Sequence, residues 1–290
     1  MTTNWPIGLS TGCFHNRSIL ESLETIRSSG FSMVEVCFSP EHLDFHNLAA
    51  VREAASRIDH LGMEAYSFHA PFAREIDISS PSPARREFSV GEIFRAAEAA
   101  SILGVHEMVI HPGPEEIEMS PPDERLERME HVVAALDRVA IRCGELGIGC
   151  VLENKLPHLV FGKINDILWI LDALETSQIG ACLDTGHAAL SGDLHLMVHK
   201  LAPHIRMIHA HDNNGRGDDH SPPGDGKINW QTFLRELTHV HFGGAIILEI
   251  AGGPDTVSTM ANARRGRTCL RRFARRLALE RIARFPEWTG

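Results

Sequence analysis

Eight short apolar runs, each separated from the next by a longer polar or amphipathic stretch, constrain this chain more than any other feature. The runs are Ile7 to Thr11, Met33 to Phe38, Ala65 to His69, Met108 to His111, Cys150 to Glu153, Ile179 to Asp184, Ile205 to His211 and Ala245 to Ile250. They are rich in Val, Ile, Leu and Met, and they are continuous rather than strictly alternating, as strands covered on both faces are. Between them lie segments of helical period, among them Leu48 to Leu61, Ala84 to Leu103, Glu124 to Leu146, Asn165 to Leu174 and Trp230 to Thr238. Several stop at glycine, at Gly30, Gly62, Gly104 and Gly147, where a left-handed residue ends a helix without a Cβ clash. Eight strand-helix units in 290 residues predict one α/β domain, a closed (β/α)8 barrel over residues 1–290. A doubly wound open sheet would carry a glycine-rich phosphate loop after its first strand, and GCFHNRS stands there instead.

Charge narrows the partners. The net charge of -10 argues against a general affinity for DNA or for anionic membranes, both of which need a cationic surface. No run approaches the length of a membrane helix, and the opening stretch MTTNWPIGLSTGCF lacks a basic start followed by a long apolar segment, so the expected location is cytoplasmic. Six cysteines are scattered with no CxxC pair, which predicts buried free thiols rather than disulfides or a sulfur-ligated metal. Residues 264–290 form an arginine-rich C-terminal helix and tail, read as the solvated outer face of the last barrel helix. A homo-oligomer is compatible with all of this.

Acidic and histidine residues stand at the ends of the apolar runs: His69, His111, Glu153, Asp184, His209 and Glu249, with His187, His211, Asp218 and His220 just beyond. A parallel barrel opens the C-terminal ends of its strands onto one mouth, so these residues are predicted to converge there. Glu153, Asp184, His209 and Glu249 end four neighbouring strands. Crowded carboxylates repel unless a cation neutralises them, and this mixed oxygen and nitrogen set suits Zn2+, Mn2+, Co2+ or Mg2+ better than soft ions. His69 and His111 are placed to share Glu153 with a second ion, or to hydrogen-bond substrate; His187, Asp218 and His220 are placed for a third. His209 and His211 have the same strand parity, so both point to one side, and only one of them need be a ligand.

The order and spacing of SFHAPF, VIHPGP, LENK, CLDTGHA, IHAHDNNGRGDDHSPPGDGKINW and ILEI resemble the xylose isomerase-like TIM barrel superfamily, in particular its sugar phosphate isomerase/epimerase group. That group is similar in turn to the apurinic-site endonuclease IV family. The resemblance covers almost the whole chain. In the sugar-isomerase branch it implies a divalent metal, Zn2+ or Mn2+, on Glu153, Asp184, His209 and Glu249. His209 is preferred to His211 because the family's ligand histidine stands three residues before an acid, here Asp212. It also implies substrate contacts from His187 and Arg216. In the endonuclease branch it implies three zinc ions held by His69, His111, Glu153, Asp184, His187, His209, Asp218, His220 and Glu249.

The chemistry that follows is proton transfer next to a sugar carbonyl, through an enediolate stabilised by the cation, with Glu153 and Glu249 as base and acid. Lys155 either aids charge stabilisation or faces solvent. The PGDGKINW turn either brings backbone amides to the substrate or simply leads into the last helical unit. The expected partner is a small sugar or sugar phosphate. Two rivals stand beside this reading. A multi-zinc phosphodiesterase on abasic DNA has the ligands but lacks a dense basic patch in the mouth loops. A barrel that binds a metabolite without turnover is expected to have lost one of the paired glutamates, and both are present.

Overall fold

A computed structural model describes residues 4–73, 75–115, 121–192 and 194–284. Its eight strands are β1 (Ile7–Ser10), β2 (Met33–Cys37), β3 (Glu64–His69), β4 (Glu107–Ile110), β5 (Gly149–Glu153), β6 (Ile179–Asp184), β7 (Ile205–Ala210) and β8 (Ala245–Leu248). All pair in parallel in chain order, and β1 closes the ring on β8 through the pairs Ile7 with Ile246 and Leu9 with Leu248. The (β/α)8 barrel expected from the periodicity is the fold. Outside it lie α1 (Ile19–Ser28), α2 (Leu48–His60), α3 (Pro83–Leu103), α4 (Pro122–Leu146), α5 (Ile164–Ala173), α6 (Thr185–Leu190), α7 (Leu194–Leu201), α8 (Trp230–His239) and α9 (Thr256–Arg284).

Several boundaries differ from the sequence reading. Helices α3 and α4 begin one or two residues earlier, at prolines, because proline has no N–H to lose in a first helical turn and its φ is already helical. Both end at glycines in the left-handed region, Gly104 at φ 72° and Gly147 at φ 73°. At the mouth the strands stop sooner: Thr11 starts a 3-10 turn, and His111, His211 and Glu249 are the first residues after their strands. The span between β6 and β7 holds two short helices, α6 and α7.

The barrel interior explains why polar residues gather at one end. A small apolar cluster of Met33, Val109, Val151, Cys182, Met207, Ala245 and Ile247 fills its lower part. Side chains two apart on a strand share a face. The inward stripes therefore run from Met33 to Glu35, Val109 to His111, Val151 to Glu153, Cys182 to Asp184, Met207 to His209 and Ile247 to Glu249. An apolar plug below thus continues upward into a ring of acids and imidazoles.

Two register shifts tune this ring. One between Val34 and Glu35 sets Glu35 beside Ser67 across β2 and β3, and one between Ala181 and Cys182 sets Asp184 beside His209 across β6 and β7. Such irregularities re-aim side chains near functional sites. Helix α9 packs against α8 and β8. Its arginines are not all a solvated face: Arg267 lies 3.9 Å above the Phe31 ring and donates to the Gly30 carbonyl at 2.6 Å, and Arg265 pairs with Asp225 at 2.5 Å. The tail from residue 285 onward lies outside the described residues. All six cysteines are free, four buried and two half-buried.

Candidate metal centre

Glu153 is the hub of the mouth. Its Oε2 lies 3.0 Å from His111 Nε2 and 3.3 Å from His69 Nε2, while its Oε1 lies 3.0 Å from His209 Nδ1. The same His209 nitrogen lies 3.4 Å from Glu249 Oε2. Two donor groups therefore share Glu153: one of His69, His111 and Glu153, the other of Glu153, Asp184, His209 and Glu249. Within each group, one ligand atom per residue lies within 4.8 Å of all the others.

Asp184 connects the second group to a third. His211 Nε2 lies 2.9 Å from Asp184 Oδ2, and its ring stacks on His220 with centroids 3.9 Å apart. His187 and His220 both turn Nε2 toward Asp218 Oδ2, at 3.3 and 3.0 Å. His187, His211, Asp218 and His220 form the third donor group. The sequence reading had placed His187, Asp218 and His220 there; His211 joins them. The close approach of His211 requires Gly186, where a Cβ would come within 1.9 Å of the imidazole Cε1. His220 is itself in the left-handed region, at φ 44°, held by its Nδ1 contact with the Glu249 carbonyl at 2.8 Å. Such strain, roughly 1–3 kcal/mol, is typical of functional sites.

Behind these groups stand residues that fix the donors. His69 Nδ1 meets the Ala70 carbonyl at 3.0 Å, His111 Nδ1 meets Glu115 Oε1 at 2.6 Å and His187 Nδ1 meets the Asn154 carbonyl at 2.9 Å. Glu35 and Glu115 were missed in the sequence. An acid inside the apolar run MVEVC was the available signal for Glu35. Asp212 is buried and accepts from the Gly224 and Ile228 amides, each at 3.0 Å, and from Trp230 Nε1 at 2.8 Å. The PGDGKINW turn is thereby tied down by Asp212.

Two candidates sit differently from expectation. Lys155 neither faces solvent nor presents a free ammonium: it is buried, its Nζ donates to the Gly113 carbonyl at 2.8 Å and to the Pro114 carbonyl, and it pairs with Glu115 at 3.3 Å. Its long side chain folds back to the carbonyls of the loop after β4. Arg216 is exposed in the loop after β7 and makes no ion pair or hydrogen bond among the described residues.

The electrostatics test whether a cation fits. Burial would raise the Glu153 carboxyl, yet the charge of His209 and hydrogen bonds from three imidazoles hold it well below the usual carboxylate range. Burial would lower His69, yet Glu153, Glu35 and Glu249 push it up to about 9. His220 behaves alike, raised to about 9 against burial by Asp218 and Glu249. Imidazoles pushed toward their charged form thus balance the buried acids, and a divalent cation would supply the same positive charge while releasing their protons. Among the described residues, His211 Nδ1 and Asp218 Oδ1 are buried atoms of the third group with no hydrogen-bond partner. Orphaned donors of this kind, with only nitrogen and carboxylate oxygen in the set, fit Zn2+ or Mn2+.

Residues 23–273 match the profile of the family described as the xylose isomerase-like TIM barrel. The chain belongs to that family. Among curated relatives, an uncharacterized protein of Methanocaldococcus jannaschii is 29% identical over 259 residues, covering 87% of this chain and 86% of its own. A probable endonuclease 4 of Nitratidesulfovibrio vulgaris strain Hildenborough is 30% identical over 182 residues, 56% of this chain and 62% of that protein. Among solved structures, a D-tagatose 3-epimerase-like protein superposes with a TM-score of 0.78 at 25% identity, covering 92% of this chain and 98% of that one. An L-ribulose 3-epimerase reaches a TM-score of 0.80 at 19% identity, over 96% and 98% of the two chains, and shares the fold. No helix among the described residues is long and apolar enough to cross a membrane.

Proposed function

We propose that this family member is a metal-dependent isomerase or epimerase of a small sugar or sugar phosphate. The observation that carries the reading is the approach of both Glu153 and Glu249 to one His209 nitrogen, at 3.0 and 3.4 Å. The Glu153 side chain is 2% exposed and that of Glu249 20%, so one acid is deep and the other borders the mouth. Two carboxyl groups so arranged serve as base and acid: one takes the proton from the carbon beside the carbonyl, and the other returns a proton to the adjacent carbon or to the opposite face. Glu153, Asp184, His209 and Glu249 would hold the cation, which supplies Lewis acidity for the negative charge that develops on the sugar oxygens. His187 would bind a sugar hydroxyl, and the exposed guanidinium of Arg216 suits a phosphate or ring hydroxyls. The likeness to a D-tagatose 3-epimerase-like protein supports the substrate class. The test is a screen of ketoses, inosose-type cyclitols and sugar phosphates for exchange of a carbon-bound proton with deuterated solvent, with Mn2+ or Zn2+ supplied. Exchange lost in both Glu153→Gln and Glu249→Gln supports the assignment; full activity in both refutes it.

A second reading rests on a specific observation. A single-cation isomerase needs only the four residues around His209, yet the His69–His111 and Asp218 groups complete two further donor sets. Several such groups that share residues suit a multi-metal phosphoester hydrolase, and the similarity to endonuclease 4 proteins points the same way. The net charge of -10 weighs against duplex DNA as its substrate. Nicking of an abasic duplex with strong salt dependence would favour this reading, and no cleavage at any ionic strength would remove it.

A further inference from the structure

The histidines of the mouth are not all held the same way round. His69, His111, His187 and His220 are each held at Nδ1, by Ala70 O, Glu115, Asn154 O and Glu249 O respectively. Their Nε2 atoms face the shared carboxylates, Glu153 or Asp218. His209 is reversed. Its Nε2 lies 2.8 Å from Glu35 Oε2, and its Nδ1 faces Glu153 and Glu249.

Glu35 explains the reversal. It sits on the inward stripe of β2, fully buried, and the same Oε2 accepts a hydrogen bond from Ser67 Oγ at 2.8 Å. A buried carboxylate is costly without partners, and an ionised one can only accept. At Oε2, Ser67 supplies one hydrogen and His209 Nε2 stands where the second must come from, while the Cys37 thiol reaches Oε1 at 3.9 Å. Glu35 meets the other ring nitrogen from the one that Glu153 and Glu249 approach.

We propose that Glu35 is the positioning residue of His209, fixing the hydrogen on Nε2 and presenting Nδ1 as the coordinating atom. A carboxylate behind a ligating imidazole is the usual way its ring orientation and tautomer are set. The inference rests on the reading of His209 as a metal ligand and deepens it, because it assigns the ligating nitrogen.

The test uses the full chain loaded with Zn2+ and labelled with nitrogen-15. Long-range proton-nitrogen correlation reads the tautomer of each ring, with the His209→Gln spectrum providing the assignment. The expected result is a hydrogen on Nε2 of His209 and on Nδ1 of His69, His111, His187 and His220. A hydrogen on Nδ1 of zinc-loaded His209 would overturn the proposal without any variant. Chelator competition then gives Zn2+ affinities: Glu35→Gln is expected to weaken binding about 10-fold and Glu35→Ala nearer 100-fold, the span typical of such outer partners. Ser67→Ala, which spares the imidazole contact, is expected to cost less. A folded Glu35→Gln with unchanged affinity would reduce Glu35 to a structural role. Neither readout involves a sugar. Zinc binding with Nε2–H on His209 but no proton exchange would defeat the proposed activity alone, and the opposite pattern would defeat this inference alone.

Discussion

Asn154 binds both backbone groups of Asp184: its Oδ1 accepts the Asp184 N–H at 2.8 Å, and its Nδ2 donates to the Asp184 carbonyl at 3.1 Å. The side chain thus extends the β5–β6 pairing past the end of β5 and holds two carboxylates, Glu153 and Asp184, in one register. Asn154→Ala leaves a buried amide unsatisfied, which costs about 1–3 kcal/mol. Denaturant unfolding should show that loss, and metal affinity should fall with it, since Asp184 is freed. Unchanged affinity would mean that Asp184 is placed by the strand alone.

Lys155 occupies the next position of the same segment and ties down the loop that carries Glu115. Lys155→Met leaves the Gly113 and Pro114 carbonyls without this donor and Glu115 with His111 alone, and should lower stability by about 1–3 kcal/mol as measured by denaturant unfolding. The substrate KM should stay near the wild-type value. A raised KM with intact stability would return Lys155 to the substrate.

The pH dependence has a definite sign. His69 and His220 are raised from 6.5 to about 9, so the stability they contribute is complete below pH 6.5 and is lost as pH rises through 9. The contribution is on the order of 3 kcal/mol for each at most. Glu115, lowered from 4.5 to about 2 against burial by His111 and Lys155, contributes above pH 4.5 and loses its contribution as pH falls through 2. Chelator-treated protein should therefore lose thermal stability between pH 6.5 and 9. Metal-loaded protein should hold its Tm over that window, because the cation replaces the protons. Parallel falls in both forms would contradict the charge balance described above.

Turnover should fall about 10²–10⁴-fold in Glu249→Gln, the range for loss of a general acid or base, with the circular dichroism spectrum unchanged. Steady-state kinetics on whichever sugar shows exchange provides the check. A small change in kcat with a large rise in KM would make Glu249 a binding group instead.

The barrel was legible because buried parallel strands leave continuous apolar runs, and the mouth because each run ends in an acid or an imidazole. His69, His111, Glu153, Asp184, His209 and Glu249 were visible that way. Glu35 was not, since an acid three residues into a run reads as a surface position until the inward stripe of Met33, Glu35 and Cys37 is set by the ring. Its place beside Ser67 further depends on the register shift after Val34, which no local pattern encodes. The burial of Lys155 was hidden for a different reason: lysine is rarely buried, and its partners, the Gly113 and Pro114 carbonyls and Glu115, are distant in sequence. His211 differs again, because its parity was clear while its neighbours, Asp218 and His220, come from a loop whose course had to be seen.

The central claim is that scattered strand-end donors meet on a divalent cation. Anomalous diffraction from crystals of the protein supplied with Zn2+ or Mn2+ tests it most directly. The account predicts a peak within bonding distance of Glu153, Asp184, His209 and Glu249. Full metal supply with no peak among those four residues would contradict it.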